Sequence, residues 1–333
     1  MEKDKILVTG SNGQLGKCIK DIVNSFYVIN NKYIFTTREE FDITNYEMMK
    51  EYLSIHNDIK TIINCAAYTD VKGAETEEGY EKAKLVNIDA VKNLGLLCKE
   101  NDIFLIHIGT DYIYPTAGKP IQETKYHWEF SDDFFYSYYG NDINKYGYSK
   151  LKGIKELFNI KDLKFVVIIT SWLYSEYGKN FVKTIWERCL KNEESEVVLT
   201  EIGSPTYAKD LAEYIVYTIE NKNMEFYPEQ WGSFQKYSLP IINFANLGTA
   251  SWYDIAKEIE YFATYHDVIK PRLKPFDKIK RSTYSVLDTT KLLRFNNDNE
   301  FCTRYWRHAL DTCLRRLNEI RIKENRNKKE TES

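Results

Sequence analysis

The chain has 333 residues, enough for one large domain or two ordinary ones. Its composition, with 43% hydrophobic and 29% charged residues, is typical of a folded protein. A formal net charge of -3 argues against a nucleic-acid partner, because proteins that bind nucleic acids are usually basic. The sequence contains no apolar run that would span a bilayer and no secretory signal, so we expect a cytoplasmic protein without a membrane partner. The cysteines and histidines show no metal-binding spacing, and we predict no metal site.

The first half of the chain alternates short apolar runs with amphipathic segments. The apolar runs predict buried strands at residues 6–8, 33–36, 61–66, 104–108 and 165–169. Helical periodicity separates them, at residues 15–23, 46–55, 81–99 and 148–158. This alternation predicts an α/β fold with a doubly wound parallel sheet of the Rossmann type, over residues 1–170.

The second half is less regular and predicts a smaller mixed α/β substrate-binding region at residues 171–320, partly interleaved with the first. Helical segments are expected at residues 180–190, 208–220 and 305–320. Another helix is expected to begin after Ser251, which would be its N-cap. Short strands are expected at residues 197–199 and 241–245. The highly charged residues 321–333 predict a tail that frays.

A glycine-rich turn follows the first predicted strand, with Gly10, Gly13 and Gly16 spaced by three residues. Glycines let the backbone approach a pyrophosphate, which the N–H groups of the following helix then bind. The sequence therefore predicts a dinucleotide site. After the second strand, Arg38 stands where NAD-specific sites usually carry an acid, and a guanidinium suits the 2′-phosphate of NADPH. Two glutamates follow it directly, which leaves NADH open as an alternative.

A tyrosine and a lysine lie four residues apart at the start of a predicted helix, Tyr146 and Lys150, and so share one helix face. A nearby ammonium would lower the pKa of the phenol, which could then exchange a proton with a carbonyl oxygen during hydride transfer. Tyr148 and Lys152 repeat the same spacing, so spacing alone does not select the pair.

Several motifs together resemble the extended short-chain dehydrogenase/reductases: GSNGQLG, NCAAYTDV, GTDYIY, YGYSK and GSPTYAKDLA, in that order. More narrowly, TSWLY, GSPTY, ASWY and YSVLD resemble the dTDP-4-dehydrorhamnose reductase family. Members of that family use NADPH or NADH to reduce the 4-keto group of a nucleotide-linked 4-keto-6-deoxyhexose. The resemblance implies the conversion of dTDP-4-dehydrorhamnose to dTDP-rhamnose, a precursor of cell-surface polysaccharides.

The resemblance also implies residue roles. Thr110, Tyr146 and Lys150 would form the catalytic triad, with Tyr146 protonating O4, Lys150 holding the nicotinamide ribose and Thr110 hydrogen-bonding the carbonyl oxygen. The YGYSK motif selects Tyr146 over Tyr148. Besides the glycines, Arg38 and Lys150, the cofactor would contact Asn12, Gln14, Leu15, Asp42, Ile43, Ala66, Ala67 and Tyr68. The substrate would contact Thr69, Val71, Asp111, Tyr112, Trp172 and Asn180.

The chain departs from the family pattern at several positions. Gly109 stands where the family usually has Ser, Ile154 where it has Glu, and Ile169 where it has Arg. Thr200-Glu201 replaces Asp-Gln, and Ser282 replaces Pro. The triad is retained, so these departures put the identity of the sugar in question rather than the chemistry.

Some alternatives stay open. The aromatic-rich residues 125–144 lead into Tyr146 and predict either a lid over the active site or a surface insertion that packs on itself or on a partner subunit. Asp111-Tyr112 lacks the glutamate that related 4,6-dehydratases use, but a 4-epimerase needs the same Tyr and Lys. The non-catalytic, NADP-binding regulatory subunit of methionine adenosyltransferase resembles the same family, so a binding role remains a hypothesis, as does a homodimer.

Overall fold

The computed structural model describes residues 4–25, 32–114, 120–122, 143–220, 240–263, 266–275, 278–292 and 303–331. Most of the aromatic segment 125–144 lies outside the described residues, so both interpretations of it remain hypotheses. Within the described ranges, no helix has both the length and the apolar character needed to cross a bilayer.

The elements follow one another along the chain in largely the predicted places. The strands are β1 (Lys5–Thr9), β2 (Tyr33–Phe35), β3 (Ile59–Asn64), β4 (Phe104–Thr110), β5 (Phe165–Thr170), β6 (Leu173–Tyr174), β7 (Ser195–Val198), β8 (Ile202–Gly203), β9 (Thr206–Tyr207), β10 (Ile241–Phe244), β11 (Ala250–Ser251), β12 (Ile269–Arg272) and β13 (Tyr284–Ser285). The helices are α1 (Gln14–Ser25), α2 (Tyr46–Ile55), α3 (Glu77–Lys84), α4 (Ala90–Glu100), α5 (Lys145–Phe158), α6 (Phe181–Leu190), α7 (Ala208–Glu220), α8 (Trp252–Ala263) and α9 (Trp306–Thr331).

A six-stranded parallel sheet in the order β10-β5-β4-β3-β1-β2 forms the main layer. Its strands are apolar on both faces, and β5 is buried along its whole length, as expected for a sheet covered by helices on both sides. Side chains of α1 and α7 pack on one face, and side chains of α2, α4 and α5 pack on the other. The predicted doubly wound fold of the Rossmann type is confirmed.

A second core lies outside this sheet. It joins α6, α8 and α9 through apolar side chains such as Trp186, Ile259 and Leu310. The short strands pair beside it as β11-β8-β13, β12-β7 and β6-β9. This is the smaller mixed α/β region expected in the second half. Two elements beyond residue 170 nevertheless return to the first sheet, since β10 pairs with β5 and α7 packs against α1.

Two predicted helices differ from the structure. The single helix expected at residues 81–99 consists of α3, a π-helical turn at Leu85–Asp89, and α4. The turn carries the carbonyl of Asn87 against Gly153 of α5, where a side chain would not fit. At the chain's end, α9 continues through the charged stretch to Thr331 instead of fraying from residue 321, because its lysines, arginines and glutamates are good helix formers.

Candidate active site

A cleft of about 550 Å³ opens at the carboxyl ends of the parallel strands, beside β1 and β3, where the strand order reverses. Ligands of open α/β sheets bind at such switch points. Most of the residues predicted for the cofactor and substrate lie in this one cleft. They are Gly10, Gly13, Gln14, Leu15, Gly16, Ala66, Ala67, Thr69, Val71, Thr110, Asp111, Tyr112, Tyr146, Lys150, Trp172 and Asn180.

The glycine turn has the geometry of a pyrophosphate cradle. Gly10 has a φ of 61°, and a side chain there would also come within 2.7 Å of the Ala66 nitrogen. Helix α1 begins at Gln14, so the N–H groups of its first turn, which have no partner within the helix, lie at the cleft. A helix N-terminus behind a glycine turn suits a dinucleotide pyrophosphate, so these residues fit the predicted cofactor.

Several predicted cofactor residues do not line this cleft. The Arg38 side chain is 73% exposed and forms an ion pair with Asp42 at 2.9 Å. Ile43 packs in the core between the sheet and α2, so its side chain is buried, and its contact with the adenine stays a prediction. Asn12 is exposed beside the turn, and the Tyr68 ring packs among small side chains next to Tyr146.

Helix α5 delivers the tyrosine and the lysine to the cleft. Asn144 caps the helix, its side chain accepting a hydrogen bond from the Gly147 N–H at 2.8 Å. Tyr146 and Lys150 then lie on the buried face, and Lys150 Nζ donates to the Ile108 carbonyl at 2.7 Å. Tyr148 instead packs against the main core, away from the cleft lining. The structure therefore brings Tyr146, not Tyr148, to the cleft.

The protonation state of this pair differs from the prediction. Burial raises the pKa of Tyr146 to about 12, against the lowering effect of a hydrogen bond with Thr110. Burial lowers the pKa of Lys150 to about 8. The prediction that a neighbouring ammonium lowers the tyrosine pKa is therefore wrong for this chain, because desolvation of the phenolate outweighs the favourable contacts. Tyr146 holds its proton at neutral pH, which is the form that a proton donor needs.

Thr110 and Asp111 follow directly at the end of β4. Thr110 Oγ1 donates a hydrogen bond to Asp111 Oδ1 at 3.2 Å. The Asp111 carboxyl is 2% exposed, and burial raises its pKa to about 7 even though hydrogen bonds from Ser285 and Thr110 favour the carboxylate. A carboxyl group that titrates near neutral pH thus lies next to the predicted triad.

An aromatic wall, formed by Trp172, Phe181 and Trp252, closes one side of the cleft. The rings of Trp172 and Trp252 stack with centroids 3.8 Å apart, and Phe181 lies 4.6 Å from Trp252. Trp172 has a φ of 47°, a strained value for a large residue and one that is often found at functional sites. Trp252 Nε1 donates to Glu201 Oε2 at 3.2 Å, which holds the second ring in place.

Sequence reasoning did not assign Phe181 and Trp252 to the site. Each is the first residue of a helix, α6 and α8, and no local pattern shows that these two helix starts meet at one cleft. The same holds for other lining residues that sequence analysis missed, namely Asn64, Cys65, Ile108, Thr170, Ser171, Leu173, Tyr174, Gly178, Lys179, Val182 and Ile255.

Asn180 lies at the cleft but has a structural role. Its side-chain oxygen caps α6 by accepting from the Lys183 N–H at 3.1 Å. Its amide nitrogen donates to Gln14 Oε1 at 3.0 Å and to the Ser175 carbonyl at 2.8 Å. The hydrogen-bonding groups of Asn180 therefore tie α6 to the glycine turn, and its contact with the substrate stays a prediction.

Three of the departures from the family pattern meet in one place. Gly109 pairs with Ile169 in the register of β4 and β5, and a methyl group on Gly109 would meet the side chains of both Ile169 and Ile154. Both isoleucines are fully buried. These three positions therefore form one apolar contact at the end of β4 and β5, with no room for a side chain at Gly109.

Comparisons with known proteins show the family of the chain. The profile of the family described as RmlD substrate binding domain matches residues 4–319. A dTDP-4-dehydrorhamnose reductase of Aggregatibacter actinomycetemcomitans is 30% identical over 302 residues, covering 86% of this chain and 92% of that protein. A dTDP-4-keto-6-deoxy-D-glucose reductase of Streptomyces niveus is 28% identical over 289 residues, covering 85% and 88% of the two chains.

A solved structure has the same architecture. The dTDP-4-dehydrorhamnose reductase of Bacillus anthracis str. Ames, solved in complex with NADP, superimposes with a TM-score of 0.74 at 26% identity, covering 93% of this chain and 98% of that one. Taken with the glycine turn and the buried tyrosine and lysine, these similarities show that the chain is an NAD(P)H-dependent oxidoreductase that belongs to the RmlD family, the family of the dTDP-4-dehydrorhamnose reductases.

Proposed function

We propose that this chain uses NADPH to reduce the 4-keto group of a dTDP-linked 4-keto-6-deoxyhexose, converting dTDP-4-dehydrorhamnose to dTDP-rhamnose for cell-surface polysaccharides. The observation that carries the proposal is that a glycine turn, a protonated buried tyrosine and a buried lysine share one cleft. The reactions named for the similar proteins, and the NADP held by the Bacillus anthracis enzyme, support it.

Different residues of the cleft would bind the cofactor and the substrate carbonyl. NADPH, when bound, supplies a hydride to the ketone carbon. The first turn of α1 and the glycines would hold the pyrophosphate, and Arg38, which follows β2, would bind a 2′-phosphate by giving up its ion pair with Asp42. Lys150 holds the nicotinamide ribose, and Thr110 hydrogen-bonds the carbonyl oxygen.

Tyr146 donates the proton. Its ring lies edge-on to Tyr112, with centroids 5.6 Å apart, so the phenol has a fixed direction in the cleft. Because burial raises the pKa of Tyr146 to about 12, the proton stays on the phenol until negative charge develops on the ketone oxygen. General acid catalysis of this kind contributes about 10²- to 10⁴-fold to a rate.

The substrate then occupies the space between the triad and the aromatic wall. Thr69, Val71, Asp111, Tyr112 and Trp172 line that space. Flat rings are suited to the apolar faces of a sugar or of its nucleobase. The predictions of a cytoplasmic location and of a homodimer remain predictions.

An NADPH oxidation assay tests the proposal. Purified enzyme is mixed with NADPH and a panel of dTDP-, UDP- and GDP-linked 4-keto-6-deoxy sugars, and the absorbance of NADPH is followed against product formed. We expect one NADPH consumed for each keto sugar reduced, with a dTDP sugar preferred. Turnover of the sugar without net NADPH loss would instead identify an epimerase, and NADPH binding without turnover of any sugar would favour the regulatory role.

A further inference from the structure

The proposed reaction leaves Tyr146 without its proton in a place that disfavours the phenolate. Burial raises the pKa of Tyr146 to about 12, so the phenolate is a strong base that must regain a proton before the next turnover. The hydrogen bond of Lys150, the other member of the pair, goes to the Ile108 carbonyl, and among the described residues none joins its ammonium to the Tyr146 phenol. A second proton source within hydrogen-bonding reach of the phenol would therefore have a function.

A short row of side chains leads from the phenol to a buried acid. The Tyr146 phenol has a hydrogen-bonding interaction with the Thr110 hydroxyl. Thr110 Oγ1 donates in turn to Asp111 Oδ1 at 3.2 Å. A hydroxyl can accept from one neighbour while it donates to the other, so once Asp111 is protonated, Thr110 can turn to accept from the carboxyl and donate to the phenolate.

Hydroxyl groups and a small cavity lined by charged side chains surround Asp111. Tyr146 faces it from α5, and Ser285 of β13 donates a hydrogen bond to it. Glu201, Lys280 and Arg281 line the small adjoining cavity that Asp111 shares. Burial is the largest cause that shifts the pKa of Asp111, and it raises that pKa to about 7.

We propose that Asp111 reprotonates Tyr146 through Thr110 during turnover, an inference that rests on the proposed function. The Thr110 hydroxyl gives its proton to the Tyr146 phenolate and takes the proton of the Asp111 carboxyl. One O–H bond forms at the phenol and one breaks at the carboxyl, leaving a neutral tyrosine and an Asp111 carboxylate. Asp111 lines the cleft, so it is reprotonated from water once the product leaves.

The pH dependence of kcat in the direction of reduction tests this relay. Only protonated Asp111 can donate, so kcat of the wild type should fall as pH rises through about 7, the pKa of Asp111. In Asp111→Asn, kcat should be about 10-fold or more lower, in the range of a lost proton-transfer group. Its profile should then stay flat until about pH 8, where Lys150 titrates.

Ser285→Ala is the matched variant, because it keeps Asp111 and removes a hydrogen bond that favours the carboxylate. The fall in kcat should therefore move to higher pH in this variant. If Asp111 only bound the substrate, Asp111→Asn would raise KM and keep the wild-type pH profile of kcat. That result, or an unshifted Ser285→Ala profile, would overturn the relay.

A measurement without turnover separates this inference from the proposed function. Infrared difference spectra of wild type minus Asp111→Asn should show a carboxylic-acid C=O band that disappears as pH rises through about 7. A missing band at lower pH overturns the relay even if the enzyme reduces a sugar. If the band titrates as expected but the protein reduces no sugar of the panel, Asp111 is the predicted buried acid and the proposed function is refuted.

Discussion

A methyl group on Gly203 should disturb the substrate side of the cleft. In Gly203→Ala the new Cβ would lie 2.5 Å from Trp172 Cε2 and 2.6 Å from Cζ2. Carbon atoms in contact lie about 3.5–4.0 Å apart, so the indole must move by about 1 Å. Trp172 is stacked on Trp252 at 3.8 Å, and therefore the aromatic wall moves as a unit. Since a misplacement of about 1 Å can cost about 100-fold, we expect KM for the keto sugar to rise by about 10- to 100-fold.

Steady-state kinetics with the keto sugar varied at saturating NADPH would measure this effect, and KM for NADPH should stay near the wild-type value. Gly95→Ala is the matched control. Its methyl group would meet Leu157 Cδ2 at 2.7 Å and Ile160 Cδ1 at 2.8 Å, a similar crowding that lies behind α4, away from the cleft. It should lower the melting temperature without changing KM. An unchanged KM for the sugar in Gly203→Ala would refute the assignment of the aromatic wall to the substrate.

Two further predictions concern the core and the lysine. Ile169→Arg should lower the free energy of unfolding by about 3–5 kcal/mol, the cost of an unpaired buried charge, and adding Ile154→Glu should restore part of it. Denaturant titrations of both variants measure these changes. A double variant no more stable than Ile169→Arg alone would contradict a contact between positions 154 and 169. Burial lowers the pKa of Lys150 to about 8, so the ammonium is lost as pH rises through that value and kcat should fall there. A constant rate from about pH 7 to about pH 9 would show that the charge of Lys150 is not needed.

The parallel sheet and the glycine turn at its carboxyl end could be predicted because the sequence patterns that indicate them are local. A continuous apolar run such as residues 165–169 predicts a strand that is buried on both faces, and the structure has such a strand there, β5. The glycine turn is likewise local, since the positive φ of Gly10 favours a residue without a side chain. Such features depend on a few neighbours in the chain.

The rest of the site depends on long-range packing, which a single sequence does not show. Trp252 reaches the cleft only because α8 packs beside α6, and its stacking on Trp172 joins residues 80 positions apart in the chain. The hydrogen bond between the Asn180 amide and Gln14 likewise joins residues 166 positions apart in the chain. The direction of the Tyr146 pKa shift was wrong for a similar reason, since spacing reports the neighbouring lysine and not the extent of burial.

The most direct test of the central claim compares wild type with Tyr146→Phe in the NADPH oxidation assay with dTDP-4-dehydrorhamnose. The substitution removes only the hydroxyl group, and the ring keeps its contact with Tyr112. We expect kcat to fall by about 10²- to 10⁴-fold, the contribution of a general acid, while the dissociation constant of NADPH, measured by fluorescence, stays within about twofold. A Tyr146→Phe enzyme that reduces the sugar at the wild-type rate would contradict the role of this phenol as the proton donor.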